Sequence, residues 1–168
     1  HLLKTATGEF RKYLLSYYLD MFRTTLFRQT MFSEFEVIAH TMVENGEPIT
    51  ADSLSNAYYE LDKKYYGDAV EHSDLIRYEW ARIPHFYTSY YVYKYATGIT
   101  TAVSIANNIL SQGEKYFEKY KKFLSAGGSL PPLDIIRLAD VDLETDAPYK
   151  TAMKEFADTL DELEKSFE

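Results

Sequence analysis

Apolar residues recur at steps of three and four over most of the chain, which is the spacing of one face of an α-helix. The longest such stretch covers residues 9–44, where neither proline nor glycine interrupts the pattern. It predicts one long helix, or two helices joined by a kink. The sequence Asn45-Gly46-Glu47-Pro48 ends this stretch, because a left-handed residue followed by a proline cannot continue a helix.

Similar signals predict the later helices. Thr50 is a typical N-cap, since its hydroxyl accepts a backbone N–H of the first turn. Pro84 disfavours helix at the residue before it, so we place a break at residues 83–85. No segment alternates with the period of two that strands show, and no long repeat occurs. The pattern therefore predicts an all-α fold, with further helices over residues 50–66, 86–110, 114–124, 133–139 and 149–167.

Charge and composition narrow the range of partners. The formal net charge of −8 argues against nucleic acid, because binding a duplex requires Lys and Arg side chains at its phosphates. No stretch approaches the roughly 20 apolar residues that span a bilayer, so no membrane partner is expected. The sequence contains no cysteine and shows no secretory leader. These features predict a cytoplasmic protein.

The histidines do not form a metal-binding pattern. The chain has four of them, His1, His40, His72 and His85. A helical zinc site such as H-E-x-x-H needs two histidines four residues apart, so that both imidazoles lie on one face. No such pair is present. His40 and Glu44 have the right spacing, but one such pair on an acidic helix is usually a surface interaction. We therefore expect no metal ligand in this chain.

Tyrosine is unusually frequent, with 16 residues, and five of them fall within residues 87–95. On a helix the five form two neighbouring rows, one of Tyr87, Tyr90 and Tyr93 and one of Tyr91 and Tyr95. Their hydroxyls stay protonated at neutral pH and, close to His85, can donate to a peptide backbone or to a developing oxyanion. The alternative is that the rings pack in the core and their hydroxyls bind backbone carbonyls.

Several segments are distinctive in combination. They are FRQTMFSEFE at residues 27–36, VENGE at 43–47, LDKKYYG at 61–67, WARIPHFY at 80–87, YVYKYATG at 91–98 and GGS at 127–129. Together they resemble the oligoendopeptidase F family, in the expected order and through nearly the whole chain. The resemblance implies a mostly helical zinc metallopeptidase, related to thimet oligopeptidase, that cleaves short peptides inside a deep cleft.

The resemblance also implies where the metal lies. In this family the H-E-x-x-H motif and a further glutamate hold one zinc ion, and they precede the segments found here. The chain opens His1-Leu2-Leu3-Lys4, without a methionine. We therefore expect residues 1–168 to be the C-terminal helical portion of the catalytic domain. This portion is expected to work with the missing N-terminal portion of the same protein and to be inactive alone.

For the residues of this chain, the resemblance implies the wall of the site that faces the metal. It assigns Tyr93 as the phenol that stabilises the tetrahedral intermediate and His85 as the histidine of the site. It assigns Tyr87 and Tyr90 as donors to the substrate backbone. His85 converges on Tyr90 and Tyr93 only if the chain around Pro84 is non-helical, because on one continuous helix it points away from them.

Two other functions fit the residues themselves. One is a non-catalytic helical module that binds a peptide or a protein through the tyrosine rows. The other is a structural fragment whose aromatic segment is part of the core, and uniform burial of Tyr87, Tyr90 and Tyr93 would favour it. A parent protein with an H-E-x-x-H motif before this chain would favour the peptidase.

Overall fold

The computed structural model describes residues 2–167, which form helices, turns and loops without any strand. The all-α prediction is thus confirmed. None of the helices in this range has the length and apolar character that crossing a membrane requires. The α-helices of the described residues are α1 (Gly8–Phe22), α2 (Arg28–Glu44), α3 (Ala51–Tyr66), α4 (Tyr93–Gln112), α5 (Glu114–Ala126), α6 (Pro132–Arg137) and α7 (Ala147–Lys165).

The long helical stretch predicted at the start is two helices, α1 and α2, with the π-helical segment Arg23–Phe27 between them. Helix α2 ends as predicted, because Asn45 is its C-cap and Gly46 follows with a φ of 73°. Helix α3 also begins as predicted. Thr50 Oγ1 accepts the Ser53 N–H at 3.0 Å, and Ser53 Oγ accepts the Thr50 N–H at 3.0 Å. Local sequence signals therefore determine these helix ends.

The described chain divides into two compact units, which we call the middle unit and the outer unit. The middle unit is Thr24–Ala96, and the described residues before and after it form the outer unit. In the middle unit α2 and α3 pack around aromatic rings. The ring centroid of Phe35 lies 5.3 Å from that of Tyr58 and 5.3 Å from that of Phe86. The buried members of this core are Met31, Phe32, Phe35, Tyr58, Leu61, Ile83 and Val92.

A buried carboxylate joins three elements of the middle unit. Glu79 lies on the 3₁₀-helix Asp74–Arg82 and is only 8% exposed. Its Oε2 accepts the Tyr58 hydroxyl of α3 at 2.6 Å, and its Oε1 accepts Arg28 Nη2 of α2 at 2.7 Å and also the guanidinium of Arg82. Burial raises the pKa of Glu79, but these hydrogen bonds and the guanidinium charges outweigh burial. The pKa therefore lies below its ordinary value.

The outer unit has a core of its own. Phe22 of α1 packs on Phe156 of α7, with ring centroids 5.7 Å apart. Tyr116 of α5 is fully buried and donates its hydroxyl to the backbone carbonyl of Ala139. The aromatic side chains of Phe22, Phe156 and Tyr116 thus pack within the outer unit. The tyrosine-rich segment, residues 87–95, lies in the middle unit.

One predicted helix is wrong in its first part. The pattern predicts helix over residues 86–110, but α4 begins only at Tyr93. The residues before it form the 3₁₀-helix Pro84–Tyr87 and a turn at residues 88–91, in which the Tyr91 N–H donates to the Thr88 carbonyl at 3.2 Å. Tyr90 has a φ of 55°, which an α-helix of L-residues does not accommodate.

His72 connects the loop that follows α3 to the end of that helix by two hydrogen bonds. Its Nδ1 is 2.6 Å from Asp62 Oδ2, and its Nε2 is 2.8 Å from the carbonyl oxygen of Gly67. An ionised carboxylate and a carbonyl only accept hydrogen bonds, so the imidazole donates to both only when both of its nitrogens are protonated. The hydrogen bond to Asp62, followed by that to Gly67, therefore raises the pKa of His72 above its ordinary value.

We expect this histidine to make stability depend on pH. Because the folded-state pKa of His72 lies above 6.5, its contribution is fully present below that value and is lost as the pH rises through the folded-state pKa. The change His72→Gln should remove this part of the pH dependence. The measurement is the free energy of unfolding of the wild type and the variant across the neutral pH range. Parallel curves for the two proteins would contradict the prediction.

Candidate functional site

The tyrosine-rich segment is held on the core of the middle unit by three inward-facing residues. Ile83 and Val92 are 8% and 1% exposed. Between them, the Phe86 ring packs against Phe32 and Phe35, with centroid distances of 5.6 Å and 5.3 Å. Ile83 and Phe86 are three residues apart, as on a helix face, but Val92 comes nine residues after Ile83 and would lie on the opposite side of an α-helix. All three can face the core only because the segment is not one continuous α-helix. The residues between the anchors lie at the surface.

The tyrosines predicted as site residues are exposed. Tyr87 is 89% exposed, Tyr90 42% and Tyr93 46%, which argues against the interpretation in which their rings form the core. The helical row predicted for them is wrong, because Tyr90 has a positive φ and only Tyr93 lies in α4. The three phenols are therefore accessible, and they lie on a 3₁₀-helix, a turn and a helix N-terminus in succession.

His85 contacts two tyrosines other than those assigned to it by the resemblance. Its Nε2 is 3.2 Å from Tyr95 Oη, and its ring centroid lies 5.7 Å from that of Tyr91 and 5.8 Å from that of Tyr95. The chain around Pro84 is 3₁₀-helical and extended rather than α-helical, which is the condition stated for convergence of His85 on Tyr90 and Tyr93, but the contacts of His85 are with Tyr91 and Tyr95. Desolvation, followed by the neighbouring Tyr91 phenol, raises the pKa of Tyr95. The phenol beside His85 thus remains protonated at neutral pH.

Tyr90 is held in an unusual conformation by one face of α2. Its φ of 55° lies in a region that costs a non-glycine residue roughly 1–2 kcal/mol. The Tyr90 N–H donates to Glu36 Oε1 at 2.8 Å, and the Tyr90 ring stacks on His40 with centroids 4.7 Å apart and planes 29° apart. Glu36 and His40 are four residues apart and lie on the same face of the helix. This face therefore contacts both the backbone and the ring of Tyr90.

Tyr93 is the first residue of α4, a helix of 20 residues. The N-terminus of a helix bears a partial positive charge, which favours an anion. At α4 the Lys94 and Tyr95 N–H groups donate to the carbonyl oxygens of Tyr91 and Val92 at 3.4 Å and 3.1 Å. The side chain of Tyr93 is 46% exposed at this end of the helix. Tyr93 is thus placed where local electrostatics favour a developing negative charge.

The sequence pattern does not single out Glu36, Tyr91 or Tyr95 as site residues. For Glu36 a signal exists, since it lies four residues after Phe32 in the buried stripe of α2, where a charged residue is unusual. The contacts of Tyr91 and Tyr95 with His85 have no such signal, because they depend on the irregular path of residues 83–92.

A metal ion has no complete ligand set in the described chain. Within residues 2–167, no group of three or more His, Asp or Glu side chains is arranged to hold one. The surroundings of His85 are phenols, which suit hydrogen bonding to a substrate better than coordination of zinc. The described residues do not by themselves fit a zinc ion.

The helical fold and the exposed histidine and tyrosines agree with the class of protein that the sequence resembles, a helical peptidase. The sequence model of a protein family, described as Peptidase family M3, matches residues 4–155 of the chain. The chain belongs to this family.

Within the family, the chain is similar to oligopeptidases and oligoendopeptidases F. It is 46% identical to oligopeptidase PepF of Bacillus subtilis (strain 168) over 155 residues, which are 92% of this chain and 23% of that protein. It is 41% identical to the plasmid-encoded oligoendopeptidase F of Lactococcus lactis subsp. cremoris over 168 residues, 99% of this chain and 28% of that protein. The crystal structure of oligoendopeptidase-F from Enterococcus faecium superimposes with a TM-score of 0.95 at 44% identity, covering 99% of this chain and 32% of that one.

These similarities confirm the resemblance to oligoendopeptidase F. The chain spans between 23% and 28% of the length of the two curated relatives named above. The roles of His85, Tyr87, Tyr90 and Tyr93 stay predictions.

The positive φ of Tyr90 gives a prediction that is independent of catalysis. Tyr90→Gly and Tyr90→Ala both remove the ring, so they differ only in the Cβ atom that a positive φ disfavours. We expect the glycine variant to be the more stable of the two by about 1 kcal/mol. Chemical unfolding of the parent protein measures the difference.

The control pair is Tyr87→Gly and Tyr87→Ala, since Tyr87 lies in a 3₁₀-helix. There the order should be the ordinary one, with alanine more stable than glycine by roughly 0.5–1 kcal/mol. The same order at both positions would contradict a strained backbone at Tyr90.

Proposed function

We propose that this chain is part of a zinc-dependent endopeptidase that hydrolyses short peptides, and that it supplies the substrate-binding and oxyanion-stabilising wall of the active site. The observation on which the proposal rests is the exposed segment from His85 to Tyr93, fixed to a buried core, in a chain that belongs to peptidase family M3. Exposed phenols on a rigid support are suited to binding, because little conformational entropy is lost when a ligand binds.

In this proposal Tyr93 stabilises the tetrahedral intermediate. Its phenol donates a hydrogen bond to the oxyanion that forms when the scissile carbonyl is attacked, and the N-terminus of α4 adds a favourable partial charge.

His85 supplies an imidazole at the same wall, and its Nε2 lies within hydrogen-bonding distance of Tyr95 Oη. The contacts with Tyr91 and Tyr95 limit the orientations of the ring, so that His85 presents a hydrogen-bonding group in a defined direction. Tyr87 and Tyr90 act as hydrogen-bond donors to the backbone of the bound peptide. Their exposure supports contact with a substrate.

The zinc ion of this proposal belongs to the remainder of the parent protein. Activation of water is the chemistry of the metal and therefore of residues outside this chain. The short share of the relatives that the chain covers supports a parent with a further portion that completes the site. The parent is proposed to work in the cytoplasm, the compartment predicted from a sequence without cysteine.

A non-catalytic module that binds peptides or proteins is the alternative. The same exposed tyrosines support it, because aromatic side chains with a polar tip are common at binding surfaces. Membership of a peptidase family favours the enzyme. The two functions differ in whether loss of one phenol changes turnover or only affinity.

The change Tyr93→Phe in the parent protein tests the proposed role. We expect the turnover number for a short peptide to fall by roughly two to three powers of ten, because a hydrogen-bond donor to the oxyanion is lost. The zinc content of the protein should not change. Steady-state kinetics and metal analysis measure the two quantities.

Tyr149→Phe is the matched control. Tyr149 is 39% exposed, similar to Tyr93, and donates its hydroxyl to the carbonyl oxygen of Leu143 in the outer unit. Its removal should leave turnover unchanged. Turnover near the wild-type value in Tyr93→Phe would refute the oxyanion role, and a loss of affinity alone would favour the binding module.

The chain by itself gives a further prediction. We expect residues 1–168, expressed alone, neither to bind zinc at a ratio of one to one nor to cleave peptides, because the described residues contain no complete ligand set. Equilibrium dialysis with zinc and a peptide-cleavage assay test this. Zinc-dependent cleavage by the isolated chain would overturn the proposed division of the site.

A further inference from the structure

Glu36 is a charged residue in an apolar stripe. The buried residues of α2 are Met31, Phe32, Phe35 and Glu36, and the first three belong to the core of the middle unit. Glu36 is only 4% exposed. Glutamate is almost never so deeply buried unless its charge is paired, so this residue requires an explanation.

Stability alone does not explain it. Glu36 Oε1 accepts one hydrogen bond, the one from the Tyr90 N–H at 2.8 Å. Oε2 is buried and has no hydrogen-bond partner among the described residues. A buried carboxylate with one unsatisfied oxygen is unfavourable, and an apolar side chain of similar volume would pack there at lower cost. The contact that the carboxylate does make is therefore the reason for its presence.

That contact controls the backbone of Tyr90. The turn at residues 88–91 uses the Tyr91 N–H for its own closing hydrogen bond, so the Tyr90 N–H needs an acceptor from elsewhere. The carboxyl group of Glu36 supplies an oxygen acceptor for this N–H at 2.8 Å. The hydrogen bond from the Tyr90 N–H to Glu36 thus supports the positive φ of Tyr90 against the extended conformations that an L-residue prefers.

The backbone conformation in turn directs the ring. With φ at 55° the Tyr90 side chain stacks on His40, four residues after Glu36 on the same helix. The amide and the ring of one residue are thus fixed by two neighbouring side chains of α2. A flexible turn would let the phenol of Tyr90 point in many directions, whereas this arrangement restricts it.

We propose that Glu36 is a positioning residue, which holds Tyr90 in its left-handed turn so that the phenol is presented to the peptide substrate in one orientation. This inference rests on the proposed function of Tyr90 as a substrate-binding residue. Glu36 acts through Tyr90 and does not itself contact the substrate.

The test uses Glu36→Met and Glu36→Gln in the full-length protein. Methionine keeps the volume and removes the acceptor, and glutamine keeps a neutral acceptor for the Tyr90 N–H. The matched controls are Glu44→Met and Glu44→Gln, because Glu44 lies on the same helix and is exposed. Hydrogen exchange of the peptide that contains residues 88–92 reports on the turn, and steady-state kinetics with a short peptide report on function.

In Glu36→Met we expect faster exchange at residues 88–92 and a KM raised by about tenfold with kcat changed little, as for the loss of one binding hydrogen bond. Glu36→Gln should restore most of both properties. The melting temperature of Glu36→Met should stay within a few degrees of the wild type, because an unsatisfied carboxylate is removed together with a hydrogen bond. The Glu44 variants should match the wild type in all three measurements.

A double-mutant cycle with Tyr90→Phe separates positioning from general stability. If Glu36 acts through Tyr90, removal of the phenol hydroxyl should cost much less in Glu36→Met than in the wild type. Additive effects, unchanged exchange at residues 88–92, or a large drop in melting temperature would each overturn the proposal. If the methionine variant does not fold, Glu36→Leu, which also removes the acceptor, combined with Tyr90→Phe decides the question by the same comparison.

Failure of the proposed function gives a different result. A full-length protein that does not cleave peptides refutes the peptidase. Hydrogen exchange in the Glu36 variants still shows whether the carboxylate holds the turn.

Discussion

The buried carboxylate of Glu79 is the interaction on which the middle unit depends. It accepts hydrogen bonds from α2 and α3 and lies on the 3₁₀-helix that leads directly into the tyrosine-rich segment. Removing one partner of a buried ion pair typically costs about 3–5 kcal/mol, since the remaining charge is left uncompensated. Arg28 and Tyr58 thus help to position the 3₁₀-helix that ends just before the buried anchor Ile83, although both residues lie outside the tyrosine-rich segment.

The middle unit contains two buried carboxylates, those of Glu79 and Glu36, and they affect its stability in opposite ways. Glu79 is surrounded by donors, so its charge is compensated and its pKa is lowered. Glu36 receives one backbone N–H, and its other oxygen is buried without a protein partner among the described residues. The first carboxylate stabilises the scaffold, and the second is retained at a cost to the scaffold. Such a cost is common where a side chain serves a site.

Local signals in the sequence were sufficient for most of the helices. The turn at Asn45-Gly46 and the N-cap at Thr50 act through neighbours a few residues away, and the structure confirms both. The segment after Pro84 behaves differently, because the acceptor that holds Tyr90 lies 54 residues earlier in the chain. Neither periodicity nor the resemblance contains that contact. The resemblance predicts His85, Tyr87, Tyr90 and Tyr93 as site residues, and their roles stay predictions. The contact of His85 with Tyr95 required the structure.

The turn at Tyr90 separates two properties that usually vary together, exposure and tolerance to substitution. Exposed positions ordinarily accept many residue types, because little is packed against them. At Tyr90 the positive φ favours glycine or asparagine, while the stack on His40 requires a ring, and few residue types satisfy both demands. A saturation library at this surface position should therefore sort into variants that relieve the backbone and variants that keep the aromatic contact. A protein that evolves under selection for activity can explore very few alternatives there.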